Sequence, residues 1–246
     1  MTCEAVRLEI NQVIGCLVKQ GIAVDVNAAI LRESQPGTLD VTWAGAPVSL
    51  LQTSLGGGFG TIPEYRHIIE HRFYHCMLSD GAVLQLNYHF KGSELLAHRL
   101  CYYPCPFHLD QSEIDSVPSG DDLVALFDLH VEQEIQELSS SLQASAFPVG
   151  SSTLRFRTPI RFDYDPLSSN GDHPACHLHI QDSQCRWPVY GPLSVGHFLR
   201  FVLRLFYPSW WKACDRLQQL RVSFLSRSVT ESETWDLFVE CCAPRS

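Results

Sequence analysis

The sequence predicts an α+β protein: a mostly antiparallel sheet with helices packed on one side. Three observations predict it. Segments with the two-residue alternation of strands are the commonest pattern, and they follow one another through tight turns rather than helical crossovers. Helix-periodic stretches stand at the beginning, in the middle and near the end.

Taken in order, Val6, Ile10, Val13, Ile14 and Leu17 recur at helical spacing and Gly21 stops the run, so a first helix is expected over residues 4–20. A short second helix is expected over 27–33. Residues 39–43 and 48–52 read as short strands. The glycine-rich stretch 55–60 has no Lys-Ser or Lys-Thr after it, so it reads as a connection rather than a phosphate loop. A meander is expected next, over 67–78, 82–90 and 95–103, with turns at Asp80-Gly81 and at Gly92. In its middle strand Leu84, Leu86, Tyr88 and Phe90 face one way, and Gln85, Asn87 and His89 face the other. His67, His71 and His75 share a face on either a helix or a strand. The neighbouring Phe73-Tyr74 and the Asp-Gly turn favour a strand, and spacing alone makes unrelated histidines a better reading than a metal site.

After a proline-rich connection, a helix is expected over 121–142, capped by Asp121 or Ser119. Val124, Phe127, Val131, Ile135, Leu138 and Leu142 would be its buried stripe. From 154 to 165, Leu154, Phe156, Ile160, Phe162 and Tyr164 alternate with Arg155, Arg157, Arg161, Asp163 and Asp165, the pattern of a half-buried strand. Beyond the turn-rich residues 166–174, His177 and His179 point to one side and Cys176, Leu178 and Ile180 to the other. With the loop centred near Asn170, antiparallel pairing sets Asp163 opposite or diagonal to His177 and His179, on a face turned to water. Ser194 should cap a last strong helix with Phe198, Phe201, Val202 and Leu205 inward and His197, Arg200 and Arg204 on the next stripe. Helix should resume over 209–220, and 222–226 with 235–240 would close the chain as a hairpin. The expected organisation is an N-terminal helical extension with short strands over 1–60 and an α+β core carrying the site over 61–246, with no repeat between them.

Composition narrows the function classes. At 45% hydrophobic and 18% charged the chain is an ordinary soluble globular protein. It has no apolar run near the roughly 20 residues of a membrane span, and its start lacks a signal peptide's basic and greasy regions, so a cytoplasmic protein with no membrane partner is expected. The ten cysteines include no C-x-x-C pair, which excludes a zinc ribbon and a thioredoxin-like motif. The net charge of −9 is unevenly spread: nine acids and no Lys or Arg lie between Asp110 and Glu137, whereas 155–227 holds ten bases against five acids. The candidate site thus lies in the basic half, which keeps nucleic acid in play.

Paired imidazoles with an arginine and a carboxylate suit RNA cleavage through the 2′-hydroxyl, which needs a base, an acid and a cation for the phosphorane. On this reading His177 and His179 are acid and base, Arg161 holds the phosphate and Asp163 orients the histidines. Arg200, Arg204, Arg186 and His173 bind substrate, and no cofactor is required. The same residues also permit a metal-binding hydrolase with His177, His179, Asp163 and Asp165 as ligands. A third reading is a non-catalytic interaction subunit that meets a cognate protein through the acidic helix over 121–142. In a fourth, Arg161 and Asp163 form a structural ion pair and the histidines are hydrogen-bonded residues of the sheet.

Several matches accumulate along the chain: Asp80-Gly81 with Gln85 and Tyr88, His98-Arg99-Leu100 with Tyr103-Pro104 and Pro106, Arg161-Phe162-Asp163-Tyr164, His173-Pro174 with His177 and His179, Arg186 with Pro188, and Phe206-Tyr207. Together they resemble an uncharacterised bacterial family known only as a domain of unknown function, over about residues 65–210. That resemblance implies no activity. The Asp-Gly strand start, the Arg-x-Asp strand and the His-x-His strand also resemble, over a short span, small toxins of bacterial toxin-antitoxin pairs. This implies a toxin-antitoxin or phage-defence setting, in which the RNA cleavage read from the paired imidazoles would be that of a metal-independent endoribonuclease.

Overall fold

The structure, a computed structural model, describes residues 2–47, 59–107, 112–113, 116, 120–144, 157–170, 173–213, 215–219 and 228. The chain begins with α1 (Cys3–Lys19), β1 (Ala23–Val26), β2 (Ala29–Gln35) and β3 (Thr38–Trp43). The middle holds α2 (Ile62–Glu70), β4 (Cys76–Leu78), β5 (Val83–Lys91), β6 (Glu94–Tyr103) and α3 (Gly120–Ala144). Then come β7 (Ile160–Tyr164), β8 (Cys176–Ile180), β9 (Trp187–Pro188), α4 (Val195–Phe206), α5 (Pro208–Ala213) and α6 (Asp215–Gln218). The nine described strands form one antiparallel sheet in the order β1-β4-β5-β6-β7-β8-β9, with β3 pairing β5 and carrying β2.

The α+β class stands, and the helices occupy both faces. On one face α1 and α4 bury Val6, Ile10, Phe198 and Val202 against Leu84, Leu86, Leu100, Phe162 and Leu178. On the other, α2 and α3 bury Tyr65, Ile68, Leu123 and Phe127 against Val83, Cys101 and Tyr103. Three helices begin at a capping side chain: Thr2 caps α1, Thr61 caps α2 and Ser194 caps α4, each side-chain oxygen accepting from an early N–H. Residues 2–47 supply three strands of this sheet, since β1 pairs β4 and β3 pairs β5. No helix among the described residues is long and apolar enough to cross a membrane.

Two expected elements are corrected. Residues expected as a helix over 27–33 instead form β2, paired with β3 from Ala29↔Trp43 to Gln35↔Thr38 around a turn where Gly37 has φ +78°. Ala29-Ile30-Leu31 is compatible with either state, and cross-strand pairing decides it. The first meander strand is also shorter than expected. Thr61, Pro63 and the spacing of Tyr65, Ile68 and Ile69 start a helix that runs to Glu70, leaving only Cys76–Leu78 as strand. His67 and His71 therefore lie one helical turn apart with ring centroids 4.2 Å apart and planes tilted by 42°, while His75 is buried against Trp43. The three histidines do not gather. In α3, Phe127 and Leu123 are buried with Val124 and Val131 packed beside them; the side chains of Ile135, Leu138 and Leu142 lie outside the described residues. So do the expected strand over 48–52, the start of β7's expected run at 154–156, and the terminal hairpin.

Candidate active site

The site is built by strand register. Because directly paired residues of an antiparallel sheet project from the same face, β5 to β8 carry two parallel rows on the face away from α1 and α4. One row runs Asn87, Arg99, Asp163, His177 and the other Gln85, Cys101, Arg161, His179. The loop between β7 and β8 fixes this pairing: Asp163 lies opposite His177 and Arg161 opposite His179.

Asp163 is the hub. Its Oδ1 accepts a hydrogen bond from Arg99 Nε at 3.2 Å. Its Oδ2 lies 2.9 Å from Arg161 Nε and 3.4 Å from His179 Nε2. Both of those nitrogens are out of line for a hydrogen bond, and neither finds another partner among the described residues. The rings of His173, His177 and His179 follow one another edge to face, with centroids 4.5 and 4.6 Å apart. His177 Nδ1 lies 2.8 Å from the Pro174 carbonyl, so this nitrogen carries the proton and Nε2 keeps a free lone pair.

One ligand atom each from Asp163, His177 and His179 lie within 4.8 Å of one another. They line a cavity of about 290 Å³ together with Arg99, Arg161, His173 and Arg186. The sequence places this face toward water, yet His177 and His179 are 1% exposed, Arg161 6% and Asp163 8%. Part of what covers Arg161 and His179 comes from elsewhere in the chain. The Arg161 guanidinium stacks on Phe59 at 4.7 Å, and the same ring meets His179 at 6.1 Å. The turn that holds Phe59 seats against the loop after β8: Gly60 has φ +87°, and a Cβ there would lie 2.6 Å from the Gln181 carbonyl oxygen.

Burial and charge set the protonation states. Burial alone would push the Asp163 carboxyl up, but Arg99, the contact with His179 and Arg161 outweigh it and hold it well below the usual carboxylate range. Burial pushes His177 down to about 4, against the pull of Asp163. His179 is likewise lowered, by burial first. His98, on the cavity wall, accepts from Leu193 N–H at Nε2 and is pushed by burial to about 4. Near neutrality the cluster is an ionised carboxylate between guanidiniums, faced by neutral imidazoles.

The four residues expected to be catalytic, His177, His179, Arg161 and Asp163, come together, and His173 and Arg186 line the same cavity. Two other expectations are corrected. Asp165 borders the cavity, but its carboxylate is turned to the following loop, accepting from Ser168 N and Oγ, and it contributes no atom to the ligand cluster. Arg200 and Arg204 are across the sheet. Helix α4 packs Phe198 and Phe201 on Phe162, whose side chain projects away from Arg161 and Asp163, so its arginines cannot reach this cavity.

The site-directed reading of the sequence also passed over Arg99 and Phe59. The signal for Arg99 was present: Leu100 and Tyr102 alternate with it, and the turn at Gly92 sets it opposite Asn87. Phe59 sits in a glycine-rich stretch with no pattern to mark it.

No curated protein and no solved structure matches this chain. A protein family described as "uncharacterized conserved protein (DUF2290)" matches residues 22–240. The chain carrying this cavity therefore belongs to the DUF2290 family.

Proposed function

We propose that the protein is a metal-dependent hydrolase of phosphodiester bonds, with RNA as the substrate class. The observation that carries the reading is the approach of ligand atoms from Asp163, His177 and His179 to within 4.8 Å of one another in a cavity lined by arginines. Two imidazoles and a carboxylate from adjacent strands are a familiar set for a catalytic first-row cation that keeps positions open for water and substrate. The hydrogen bond from His177 Nδ1 to a backbone carbonyl is the outer support such a ligand commonly has, because it aims Nε2 and fixes its tautomer. A cation held by Asp163, His177 and His179 would supply a water of lowered pKa as the nucleophile for the phosphodiester, and the proton given up by that water would balance the one gained by the leaving oxygen. Arg161 and Arg186 would neutralise the phosphoryl oxygens, and Arg99 would hold Asp163 in place.

The test begins with untagged protein. Metal analysis and titration of the apoprotein with Zn²⁺ and Mn²⁺ should give one site per chain, lost in the His177→Ala, His179→Ala double variant. Labelled RNA should be cut by the loaded protein and not in chelator. Absence of any binding stronger than millimolar would refute the metal site.

A second reading, a metal-independent endoribonuclease using His177 and His179 as acid and base, is favoured by one observation. Arg161 Nε lies 2.9 Å from the same Asp163 oxygen a metal would use, so a protein cation already occupies that side of the carboxylate. Cleavage that persists in chelator and disappears in the double variant would select it. A toxin-antitoxin or phage-defence role belongs to the same proposal. So does a partner protein docking on the exposed acids Asp121, Asp122 and Glu132 of α3, where Asp128 is already held by Arg66. We place the activity in the cytoplasm, a reading supported by the free thiols of Cys3, Cys76, Cys101, Cys105 and Cys185.

A further inference from the structure

The described arginines divide sharply. Arg7, Arg32, Arg66, Arg72, Arg99, Arg157 and Arg161 each meet a carboxylate. Arg186, Arg200 and Arg204 meet none among the described residues. Arg186 belongs to the cavity already discussed. Arg200 and Arg204 stand one helical turn apart on α4 and line an open groove of about 500 Å³ with Lys212, Trp211, Pro208 and Gln218. Three cations thus converge on one groove whose lining includes no acid among the described residues, in a chain of net charge −9. Like charges held side by side repel one another, and an anionic ligand removes that repulsion.

The groove also has an aromatic wall. Trp211 is half-buried and anchored to the core, and its neighbour Trp210 stacks on Tyr207 with centroids 4.4 Å apart and planes 2° from parallel. The corner between α4 and α5 is therefore firm, because α4 buries Phe198, Leu199, Val202 and Leu203 completely. Cations that track a backbone beside an indole that accepts a base are the two parts of a sequence-tolerant site for single strands.

We infer that the groove formed by Arg200, Arg204, Lys212 and Trp211 is a second binding surface, and that its occupant is single-stranded nucleic acid. Phosphates would lie against the three cations and a base against Trp211. The groove is on the sheet face opposite the Asp163 cavity, so the inference goes beyond the hydrolase reading and stands or falls separately. Leu205 and Phe206 next to it are 60% and 42% exposed, which makes an anionic lipid surface the rival occupant. The groove is concave, and its cations and indole line the hollow rather than a protruding edge, which favours a strand.

The experiment measures binding of a fluorescent 12-mer oligouridylate to the full chain in chelator, where metal-dependent cleavage is off. Three phosphate contacts on a single strand give a salt exponent of about 2, so affinity should fall roughly 18-fold between 50 and 200 mM salt. The Arg204→Ala, Lys212→Ala variant should bind weakly with an exponent lower by about 1.4. Trp211→Ala should lose about fivefold or more. Hydrolysis of bis(4-nitrophenyl) phosphate, which fits the cavity alone, and the urea midpoint serve as controls and should be unchanged in the arginine-lysine variant. Equal binding and equal salt dependence in wild type and variants would overturn the proposal. So would binding lost only in the His177→Ala, His179→Ala variant, which would put the strand in the cavity. Capture of the protein by phosphatidylserine vesicles without oligonucleotide binding would assign the surface to lipid instead.

Discussion

Replacing Asp163 by asparagine keeps the shape of the hub and removes its charge, which separates the electrostatic work of the cluster from its packing. In the folded protein Arg99 Nε and Arg161 Nε lie 3.2 and 2.9 Å from this carboxylate, and Arg161 is 6% exposed. Removing one partner of a buried pair typically costs about 3–5 kcal/mol, because the remaining charge is left uncompensated. The asparagine oxygen can still accept from Arg99, so the lower end, about 3 kcal/mol, is expected for Asp163→Asn. Urea unfolding in chelator should show this as a midpoint about 1 M lower with an unchanged slope, for a slope of about 3 kcal/mol/M. The carboxyl's folded pKa is held below its unfolded value, so its contribution is present above the unfolded value near pH 4 and is lost only as pH falls toward the folded one. The deficit should therefore be constant between pH 5 and 8. Combining Asp163→Asn with Arg161→Met should cost less than the two single changes added, with a coupling of about 1–3 kcal/mol. Metal at one hundred times its dissociation constant should stabilise wild type by about 2.7 kcal/mol and leave the asparagine variant unmoved. A midpoint shift for Asp163→Asn equivalent to less than about 0.5 kcal/mol, within the ordinary scatter of surface changes, would show that water already neutralises these guanidiniums and would refute the argument from burial.

Two further outcomes can be checked on the same instrument. His75 is fully buried, accepts from Leu86 N–H at Nδ1, and is lowered by burial to about 3, so the unfolded chain takes up its proton first as pH falls below 6.5. Wild type should lose about 2 kcal/mol through this residue between pH 7 and 5, and His75→Asn should show a correspondingly shallower dependence; a ring titrating near 6 by NMR would contradict it. Gly60→Ala puts a Cβ at φ +87° and 2.6 Å from the Gln181 carbonyl oxygen, so a loss of about 1–3 kcal/mol is expected, and thermal melts matching wild type would show that the turn gives way freely.

The parts of the fold set by short-range chemistry were legible in the sequence, and so was the heart of the site. The β7–β8 hairpin is the best case. A turn-rich connector between two alternating runs leaves few registers, and the one that places Asp163 opposite His177 also places Arg161 opposite His179. Helix α1 is legible because five apolar residues share one face between a threonine cap and a glycine stop. Illegible features depend on what meets what over long separations. The stripe of Arg200 and Arg204 was visible, but which face of the sheet α4 would cover depends on Phe198 and Phe201 finding Phe162. The burial of His179 and Arg161 depends partly on Phe59, more than a hundred residues earlier. Helix α2 was missed for a different reason. Aromatic residues near an Asp-Gly turn outweighed the threonine cap and the first-turn proline that mark its start.

The last described strand of the sheet is two residues long, and the residue paired with His177 is Pro188. Proline offers no N–H to a further strand, so the border nearest the histidines cannot readily be lengthened by an edge from another molecule. Recruitment of a second polypeptide by sheet extension is thereby disfavoured at that rim, and the approach to the imidazoles stays available to smaller visitors.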